Sequence, residues 1–487
     1  MTVRYSFPAT VKREYSQRNL SVLSDGTKIL TIMAAYIAVN VALILFSIPD
    51  AAWTYSADGN SWRNPALGLI KHGAFVDPNA AGTPDVFRTP GYPLFLAGAI
   101  VIAGERFFDV VVPAQIVLLF VVGLIAYRVT EDWLPGYGPA ALALTVFNPN
   151  GLGTAHIVQS ETLYSVGIAL LGWAVLTFCR RPTVAQGALA GLALGASCLV
   201  RPDAQFLIAA LPLGLIFLAS LPGAKVGWAR RFASAAACLV IALAVISPWA
   251  LRNASLGYGY RLTTATVASY YIWDSAGQVE MMAHGVNQRV AGNRMQARQS
   301  NFAKAYGPSW KQLSKSRRDE LLFREGVRTI FAYPPAAIAR TVLDATLQFF
   351  AGGGAGNFLN ILGFGKFNPY EVMGKQGHSS YFDAWRAALM GAAWPAAAIS
   401  LVALAFVILL RLLGLVGIVT LMRRGEWRLL AVILGALAYF ALVIPFYGHS
   451  RFRVPVEYML VLLALAGLDG LRAKGRRKAS VELSSDN

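Results

Sequence analysis

Long apolar runs without a charged residue alternate with short polar segments along most of the chain. The first run covers residues 29–48 (ILTIMAAYIAVNVALILFSI) and contains 20 residues without a charge. A helix of that length is about 30 Å long, which matches the hydrocarbon core of a bilayer. Because every backbone polar group must be hydrogen-bonded within lipid, these runs are predicted to be helices. Further runs lie at 90–104, 109–128, 137–149, 162–180, 184–200, 204–221, 232–251, 393–421, 429–446 and 454–471.

This pattern predicts an all-α fold, a polytopic transmembrane helical bundle with about ten to thirteen spans. Basic residues in short loops mark the cytoplasmic side of a membrane protein. These basic residues predict that both termini are cytoplasmic and that the loops at the opposite ends of the helices face outward. The basic residues used are Arg180, Arg181, Lys225, Arg230, Arg231, Arg423, Arg424, Arg472, Lys474, Arg476, Arg477 and Lys478.

The predicted organisation follows from these runs and from the polar segments between them. Helices lying at the outer membrane surface are expected within the two long outer segments, and 311–335 is predicted to be an amphipathic helix stopped by Pro334 and Pro335. The segments are a cytoplasmic N-terminal segment 1–28, a transmembrane catalytic module 29–251 with an outer loop 49–89, an outer interfacial region 252–392, C-terminal transmembrane helices 393–471 and a basic cytoplasmic tail 472–487.

Composition supports a membrane protein and narrows the class of partner. Hydrophobic residues make up 56% of the chain and charged residues 14%, with a mean hydropathy of +0.51 and a net charge of +18. The basic residues lie at the ends of apolar runs and in one long loop, so anionic lipid and anionic substrates are the predicted partners, and nucleic acid is not. The three cysteines form no CxxC pair, so neither a zinc site nor a redox motif is indicated.

Two carboxylates on the predicted outer side are candidates for catalysis. Asp58, in TYSADGNSW, is placed to act as a general base for an acceptor hydroxyl. The structural alternative is a turn or helix-capping residue, since Asp-Gly favours turns. Glu161 opens an apolar run directly after Ser160. Here the alternative is a cap by Ser160, with Glu161 stabilised by the helix dipole.

Arginines on the same side are candidates for binding a phosphate. Arg88, Arg252, Arg451 and Arg453 carry planar guanidinium groups whose donors match phosphate oxygens. The alternative is that they extend to the head-group level while their stems lie in apolar surroundings. The ion pair expected within 201–203 is interpreted as mainly structural.

Three further residues are candidate contacts for the acceptor or the sugar: Tyr92, His156 and His449. The sequence requires no cofactor, but a divalent metal is possible, and Asp58, Glu161 and His156 would be its ligands. A single histidine without a matching second ligand is a weak indication of a metal site.

The order of these clusters resembles the GT-C superfamily of integral membrane glycosyltransferases. The similarity is strongest to the bacterial branch with aminoarabinose, galacturonosyl and mannosyl transferases, and it runs from residue 58 to 455. The matching pieces are Asp58, Arg88-Thr89-Pro90-Gly91-Tyr92-Pro93, Ser160-Glu161-Thr162-Leu163, Leu199-Val200-Arg201-Pro202, Pro248-Trp249-Ala250-Leu251-Arg252-Asn253 and Arg451-Phe452-Arg453-Val454-Pro455.

The resemblance implies an inverting enzyme that takes a sugar from a polyprenyl-phosphate carrier. It implies that Asp58 is the base, that Glu161 assists or orients the acceptor, and that Arg88, Arg252 and Arg451 hold the donor phosphate. The acceptor would be an envelope glycolipid, polysaccharide or protein on the periplasmic face of a bacterial inner membrane. Some relatives need a divalent metal and others do not. This sequence departs from the family pattern in having Gly and Asn after Asp58.

Two other functions fit parts of the same pattern. A lipid-anion transporter or flippase would also bring arginines and carboxylates together, but it should show midplane charges and repeat-related broken helices. Here the charges gather at helix ends and no internal repeat is visible. A non-enzymatic scaffold of an envelope complex is the third possibility.

Overall fold

The computed structural model describes residues 9–47, 58–221, 226–264, 269–364, 386–387, 389–443 and 445–485. Parts of the predicted outer loop 49–89 and of the predicted region 252–392 lie outside these residues. The helices of the N-terminal half are α1 (Ala9–Phe46), α2 (Gly59–His72), α3 (Gly91–Ala103), α4 (Phe108–Trp133), α5 (Gly138–Val146), α6 (Pro149–Ala155), α7 (Glu161–Arg180), α8 (Val184–Val200), α9 (Leu207–Leu218) and α10 (Trp228–Ser255).

The second half continues as helices, and the only sheet among the described residues is one small hairpin in the first half. Its strands are β1 (Val76–Asp77) and β2 (Ala80–Pro84), which pair antiparallel. The later helices are α11 (Ser269–His284), α12 (Gln288–Ala305), α13 (Ser309–Gln312), α14 (Lys315–Phe331), α15 (Pro335–Ala351), α16 (Gly356–Ile361), α17 (Trp394–Arg424), α18 (Trp427–Val443) and α19 (Glu457–Ser485). The predicted all-α bundle is confirmed.

Six stretches of helix among the described residues are long and apolar enough to cross a membrane. They are Asp25–Phe46, Phe108–Trp133, Glu161–Arg180, Trp228–Ser255, Trp394–Arg424 and Ser450–Gly475. Three shorter apolar helices, α8, α9 and α18, accompany them. The predicted runs 90–104 and 137–149 form helices of 13 and 9 residues, which are too short to cross about 30 Å unaided.

Close helix packing in the bundle depends on glycines spaced four residues apart. A Cβ atom on Gly187 would lie 2.3 Å from the carbonyl oxygen of Ser234, and one on Gly191 would lie 2.3 Å from that of Cys238. Residues at this spacing share one face of a helix, so the glycines allow α8 and α10 to pack backbone against backbone.

The centre of the bundle is the first part of α19 with the turn before it. All residues from 453 to 467 are buried, so this segment is enclosed by other helices on every side, and its residues are mostly apolar apart from Arg453 and Glu457. The largest hydrophobic cluster joins it to α7 and α8 through side chains such as Tyr164, Leu194 and Leu462.

The helices after α10 form a smaller apolar cluster of their own. Trp273 and Val279 of α11 pack with Met295 and Ile330, and Phe446 joins this cluster to the segment after α18. The predicted amphipathic helix within 311–335 is confirmed, because α14 ends at Phe331, before the two prolines. This packing brings α11 against the end of the bundle where α7 begins.

Candidate active site

A cavity of about 430 Å³ lies at one end of the bundle. It is formed where α2, α7 and α11 begin and where α8 and α18 end, so short segments at helix termini supply most of its wall. A cavity of this size is within the range that holds small ligands. Its charged and hydrogen-bonding lining includes Asp58, Arg88, Gln159, Glu161, Arg201, Asp203, Tyr271, Asp274, Tyr447, His449 and Arg451.

Asp58 precedes α2 and projects its carboxylate toward two arginines. Its Oδ1 lies 3.4 Å from Arg88 Nη2, and its Oδ2 lies 3.3 Å from Arg451 Nη1. The residue occupies the N-cap position, yet its side chain makes no capping hydrogen bond. Capping therefore does not account for the carboxylate, which is 42% exposed and available from the cavity.

Glu161 begins α7 and is nearly buried. Its Oε1 lies 2.9 Å from Arg201 Nη1 and 3.9 Å from Arg451 Nε. Ser160 stands at the N-cap position without a side-chain capping bond. Instead its Oγ accepts a hydrogen bond of 3.3 Å from Arg201 Nη1. Arg201, more than the helix dipole, thus fixes the position of the Glu161 carboxylate.

Arg201 is a site residue whose role the sequence did not indicate. The predicted ion pair is present, since Arg201 Nη2 lies 2.8 Å from Asp203 Oδ2, but the guanidinium also reaches Glu161 and lines the cavity. Burial opposes its charge, but Asp203 and Glu161 outweigh burial and raise the pKa of Arg201. The arginine therefore stays charged at every physiological pH.

Together these side chains form an alternating series, which we call the charge row. Its members in spatial order are Arg88, Asp58, Arg451, Glu161, Arg201 and Asp203. The three arginines and three carboxylates balance one another. Alternation of sign lets six charges share a poorly hydrated site, because each one has a compensating neighbour.

The Arg88 side chain is fixed in place by contacts with Trp62 and Ser61. Its guanidinium lies 4.0 Å from the ring centre of Trp62, and its Nε donates to Ser61 Oγ at 3.0 Å. The turn before it is closed by Asp85, whose Oδ1 accepts from the backbone amides of Phe87 and Arg88 at 3.0 and 3.1 Å. Burial is the largest influence on Arg88 and lowers its pKa.

The wall facing the charge row comes from α11 and from the segment before Ser450. Tyr271 stacks on Phe87, with ring centres 6.3 Å apart and planes 11° apart. The hydroxyl of Tyr447 donates to Asp274 Oδ2. Burial raises the pKa of Asp274, although the hydrogen bond from Tyr447 acts in the other direction. Neither α11 nor this pair carried a recognisable motif, so the sequence did not single them out.

Of the three predicted sugar or acceptor contacts, only His449 lies in the cavity. Desolvation of the imidazole, assisted by Arg451, lowers the pKa of His449 to about 4, although the residue itself is exposed. Tyr92 is buried elsewhere and donates through its hydroxyl to Gln115 Oε1 at 2.9 Å. The expectation that Tyr92 contacts a ligand is therefore corrected to a role in packing between α3 and α4.

His156 is likewise outside the cavity. Its Nε2 lies 2.8 Å from Asn40 Oδ1 of α1, and burial lowers its pKa to about 4. It is not grouped with Asp58 and Glu161, contrary to the ligand set considered for a metal. Within the described ranges, no three His, Cys, Asp or Glu side chains are placed to share a metal ion.

Two predicted phosphate-binding arginines have structural partners instead. Arg252 donates to the carbonyl oxygens of Phe75 and Asp85, both at 2.7 Å, and ties the hairpin region to α10. Arg453 is fully buried, pairs with Glu457 and donates to the carbonyl oxygen of Gly352 at 2.8 Å. Neither arginine lines the cavity, so the structure does not bring them together with Arg88 and Arg451, and backbone carbonyls accept hydrogen bonds from both.

Part of the chain matches a family model. The family model described as dolichyl-phosphate-mannose-protein mannosyltransferase matches residues 87–251. This segment contains Arg88, Glu161 and Arg201 of the charge row. The predicted resemblance to membrane glycosyltransferases is confirmed. No curated protein matches the chain.

Two proteins of known structure are similar at low identity. The archaeal oligosaccharyltransferase AglB from Archaeoglobus fulgidus, in complex with an inhibitory peptide and a dolichol-phosphate, is 13% identical with a TM-score of 0.49. The match covers 94% of this chain and 52% of AglB, so the chain spans about half the length of that protein. ArnT from Cupriavidus metallidurans, bound to undecaprenyl phosphate, is 13% identical over 90% of this chain and 77% of ArnT, with a TM-score of 0.38.

Proposed function

We propose that this chain transfers a sugar from a polyprenyl-phosphate carrier to a hydroxyl group of an envelope acceptor. The observation that carries the proposal is the position of Asp58. Its carboxylate is exposed to the cavity and lies between Arg88 and Arg451, at 3.4 and 3.3 Å. A base and two phosphate-binding cations are therefore available at one point of the wall.

The reaction that fits this geometry is a direct displacement at the anomeric carbon. The acceptor hydroxyl gives its proton to Asp58 as its oxygen forms the new glycosidic bond. The bond from the anomeric carbon to the phosphate oxygen breaks, and the electron pair leaves with the phosphate. A single displacement inverts the anomeric configuration.

Arg88 and Arg451 are proposed to stabilise the leaving phosphate. A sugar phosphodiester carries one negative charge and the released phosphomonoester carries up to two, so the arginines bind the product side more strongly. Donors placed where charge develops lower the barrier rather than only tightening binding. Arg201 keeps Glu161 in position from the other side, at 2.9 Å, so that Glu161 can orient the acceptor.

We propose that the cavity faces the periplasm of a bacterial inner membrane. Three basic pairs lie at the helix ends remote from the cavity: Arg180–Arg181 ends α7, Arg230–Arg231 begins α10 and Arg423–Arg424 ends α17. The excess of basic residues on the cytoplasmic side of membrane proteins supports this orientation. Glycolipid, polysaccharide and protein hydroxyls all remain candidate acceptors.

The match to a family model named for dolichyl-phosphate-mannose-dependent enzymes supports a lipid-phosphate donor. The rival function is transport of a lipid anion, for which the arginines would bind the same phosphate. The two functions differ in the need for a base, since transport requires no proton acceptor for a hydroxyl.

The test is transfer of label from a set of radiolabelled polyprenyl-phosphate sugars to total envelope acceptors. Purified wild-type protein is compared with Asp58→Asn, and Asp109→Asn is the matched control because Asp109 lies on the surface and pairs with Arg106 at 2.8 Å. We expect transfer by the wild type and the control but not by Asp58→Asn. Full transfer by Asp58→Asn would exclude the base assignment, and absence of transfer from every donor would favour transport.

A further inference from the structure

A second cavity, of about 620 Å³, lies at the end of α7 opposite the candidate active site. It is lined by side chains from the last turns of α4 and α7. Glu161 begins α7 and Arg180 ends it, and 20 residues of helix separate the two cavities by about 30 Å. That distance equals the thickness of the hydrocarbon core, so the second cavity lies at the opposite head-group level.

The charge of this cavity is strongly positive. Arg128, Arg180 and Arg181 line it together with a single carboxylate, Asp132, which leaves an excess of two positive charges. Arg180 is engaged, since its Nη1 donates to the carbonyl oxygen of Asp132 at 2.5 Å and lies 3.6 Å from Asp132 Oδ1. Arg180 alone therefore satisfies both the carboxylate and the backbone carbonyl of Asp132.

Arg128 and Arg181 are different. Both are exposed, and neither has a hydrogen-bonding or ion-pair partner on its side chain among the residues that the structure describes. The neighbouring Arg428 shows the contrast, because its guanidinium donates to the carbonyl oxygens of Cys179 and Leu221 at 2.8 and 2.9 Å. Two guanidinium groups at one cavity therefore retain their full donor capacity.

The remaining wall is amphipathic. Trp133 and Trp173 line the cavity with Leu176, and the guanidinium of Arg180 lies 5.5 Å from the ring centre of Trp133. Tryptophan favours the membrane interface because its ring is apolar and its N–H is polar. A ligand with a phosphate group next to an apolar group fits this wall, because the phosphate can bind the arginines while the apolar group contacts the tryptophans and Leu176.

We propose that this cavity is a binding site for a phosphate-bearing anionic group at the head-group level, with Arg128 and Arg181 as the phosphate ligands. A membrane phospholipid and a soluble phosphate share this chemistry. The tryptophans favour the lipid. The proposal does not depend on the transfer reaction, since the site is at the other end of the bundle.

The test measures binding to the full-length protein in neutral detergent by native mass spectrometry. The probes are dihexanoyl-phosphatidylglycerol, dihexanoyl-phosphatidylcholine and inorganic phosphate. The variant is Arg128→Gln/Arg181→Gln, and Arg230→Gln/Arg423→Gln is the control, with the same loss of charge at exposed positions outside the cavity. Each basic residue near a head group contributes about 1 kcal/mol, so the cavity variant should bind phosphatidylglycerol about thirtyfold more weakly.

Preferential binding of phosphatidylglycerol, weakened in the cavity variant only, supports a lipid site. If inorganic phosphate binds as well as phosphatidylglycerol and its binding is lost in the cavity variant, the site is supported with a soluble phosphate as its ligand. Unchanged phosphatidylglycerol affinity in the cavity variant, equal weakening in the control, or equal binding of phosphatidylcholine would overturn the proposal. Both substitutions are at exposed side chains, and unchanged thermal unfolding would show that the fold is intact.

Discussion

Arg451 connects the two carboxylates that the proposed reaction uses, which makes it the most informative position for substitution. Its guanidinium lies 3.3 Å from Asp58 Oδ2 through Nη1 and 3.9 Å from Glu161 Oε1 through Nε. In Arg451→Gln both carboxylates lose a neighbouring positive charge, and the leaving phosphate loses one of two cations. Arg451→Lys keeps the charge, but a single ammonium group does not reproduce the planar fork of donors.

The magnitude follows from the removal of one of the two cations that stabilise the leaving phosphate. Removing one donor that stabilises a developing anion typically lowers kcat by about 10²- to 10³-fold. We expect this loss for Arg451→Gln, and a loss of about tenfold for Arg451→Lys, which retains the Coulomb attraction but not the bidentate geometry. Because the effect arises as charge develops on the phosphate, kcat should fall more than the KM for the donor rises.

The assay is steady-state transfer from the labelled donor that the wild type uses, measured over a range of donor concentrations to give kcat and KM. Arg424→Gln is the matched control, since Arg424 forms a pair with Asp469 at 2.6 Å at the remote end of the bundle. Thermal unfolding of each variant separates loss of chemistry from loss of fold. A rate for Arg451→Gln within about threefold of the wild type, in folded protein, would refute the assignment of Arg451 to the leaving group.

Three further outcomes are expected. Glu161→Gln should lower the free energy of unfolding by about 1–3 kcal/mol, measured by thermal denaturation, because its buried pair with Arg201 is lost while Asp203 still compensates that arginine. Gly191→Val should lower stability by about 1–3 kcal/mol, since its Cβ would lie 2.3 Å from the Cys238 carbonyl oxygen, whereas Gly214→Ala, with nothing within 4 Å, should not. Burial holds the pKa of His156 at about 4, below that of the unfolded chain, so unfolded protein binds the proton first and stability should fall as pH decreases from about 6.5 toward 4. His156→Gln should flatten that dependence, and a slope between about pH 4.5 and 7 that this substitution leaves unchanged would show that burial of His156 is not its cause.

The sequence predicts the helices well and the site in part, for distinct physical reasons. Within lipid an apolar run must form all its backbone hydrogen bonds internally, and few structures other than a helix do so. The helical bundle therefore follows from the length and composition of the runs. Asp58 and Arg451 are separated by 393 positions in the chain, and their meeting depends on tertiary packing. The ordered motifs pointed to both residues, but the pairing itself is visible only in the structure.

The errors among the arginines have a local cause. Arg451 and Arg453 are two residues apart in a 3₁₀ turn, Ser450–Val456. At three residues per turn, positions i and i+2 point in different directions, so one side chain reaches the cavity and the other is buried against Glu457. Arg201 was missed for the opposite reason. Its ion pair with Asp203 is satisfied within three residues, which hides the longer contact to Glu161.

The charge row also explains why fold and site cannot be separated at this end of the bundle. Asp58 and Glu161 each lie beside an arginine from another element, so the same contacts that neutralise charge at a membrane edge hold α2, α7 and the turn before α19 together. Removal of Asp58 leaves Arg88 without the carboxylate that the row places beside it, so a single substitution there reports stability as well as chemistry. Paired substitution separates the two. In Asp58→Asn/Arg451→Gln the net charge of the row stays zero. This variant should therefore be more stable than either single variant while remaining inactive. Recovery of stability and transfer activity together would show that the row is structural alone.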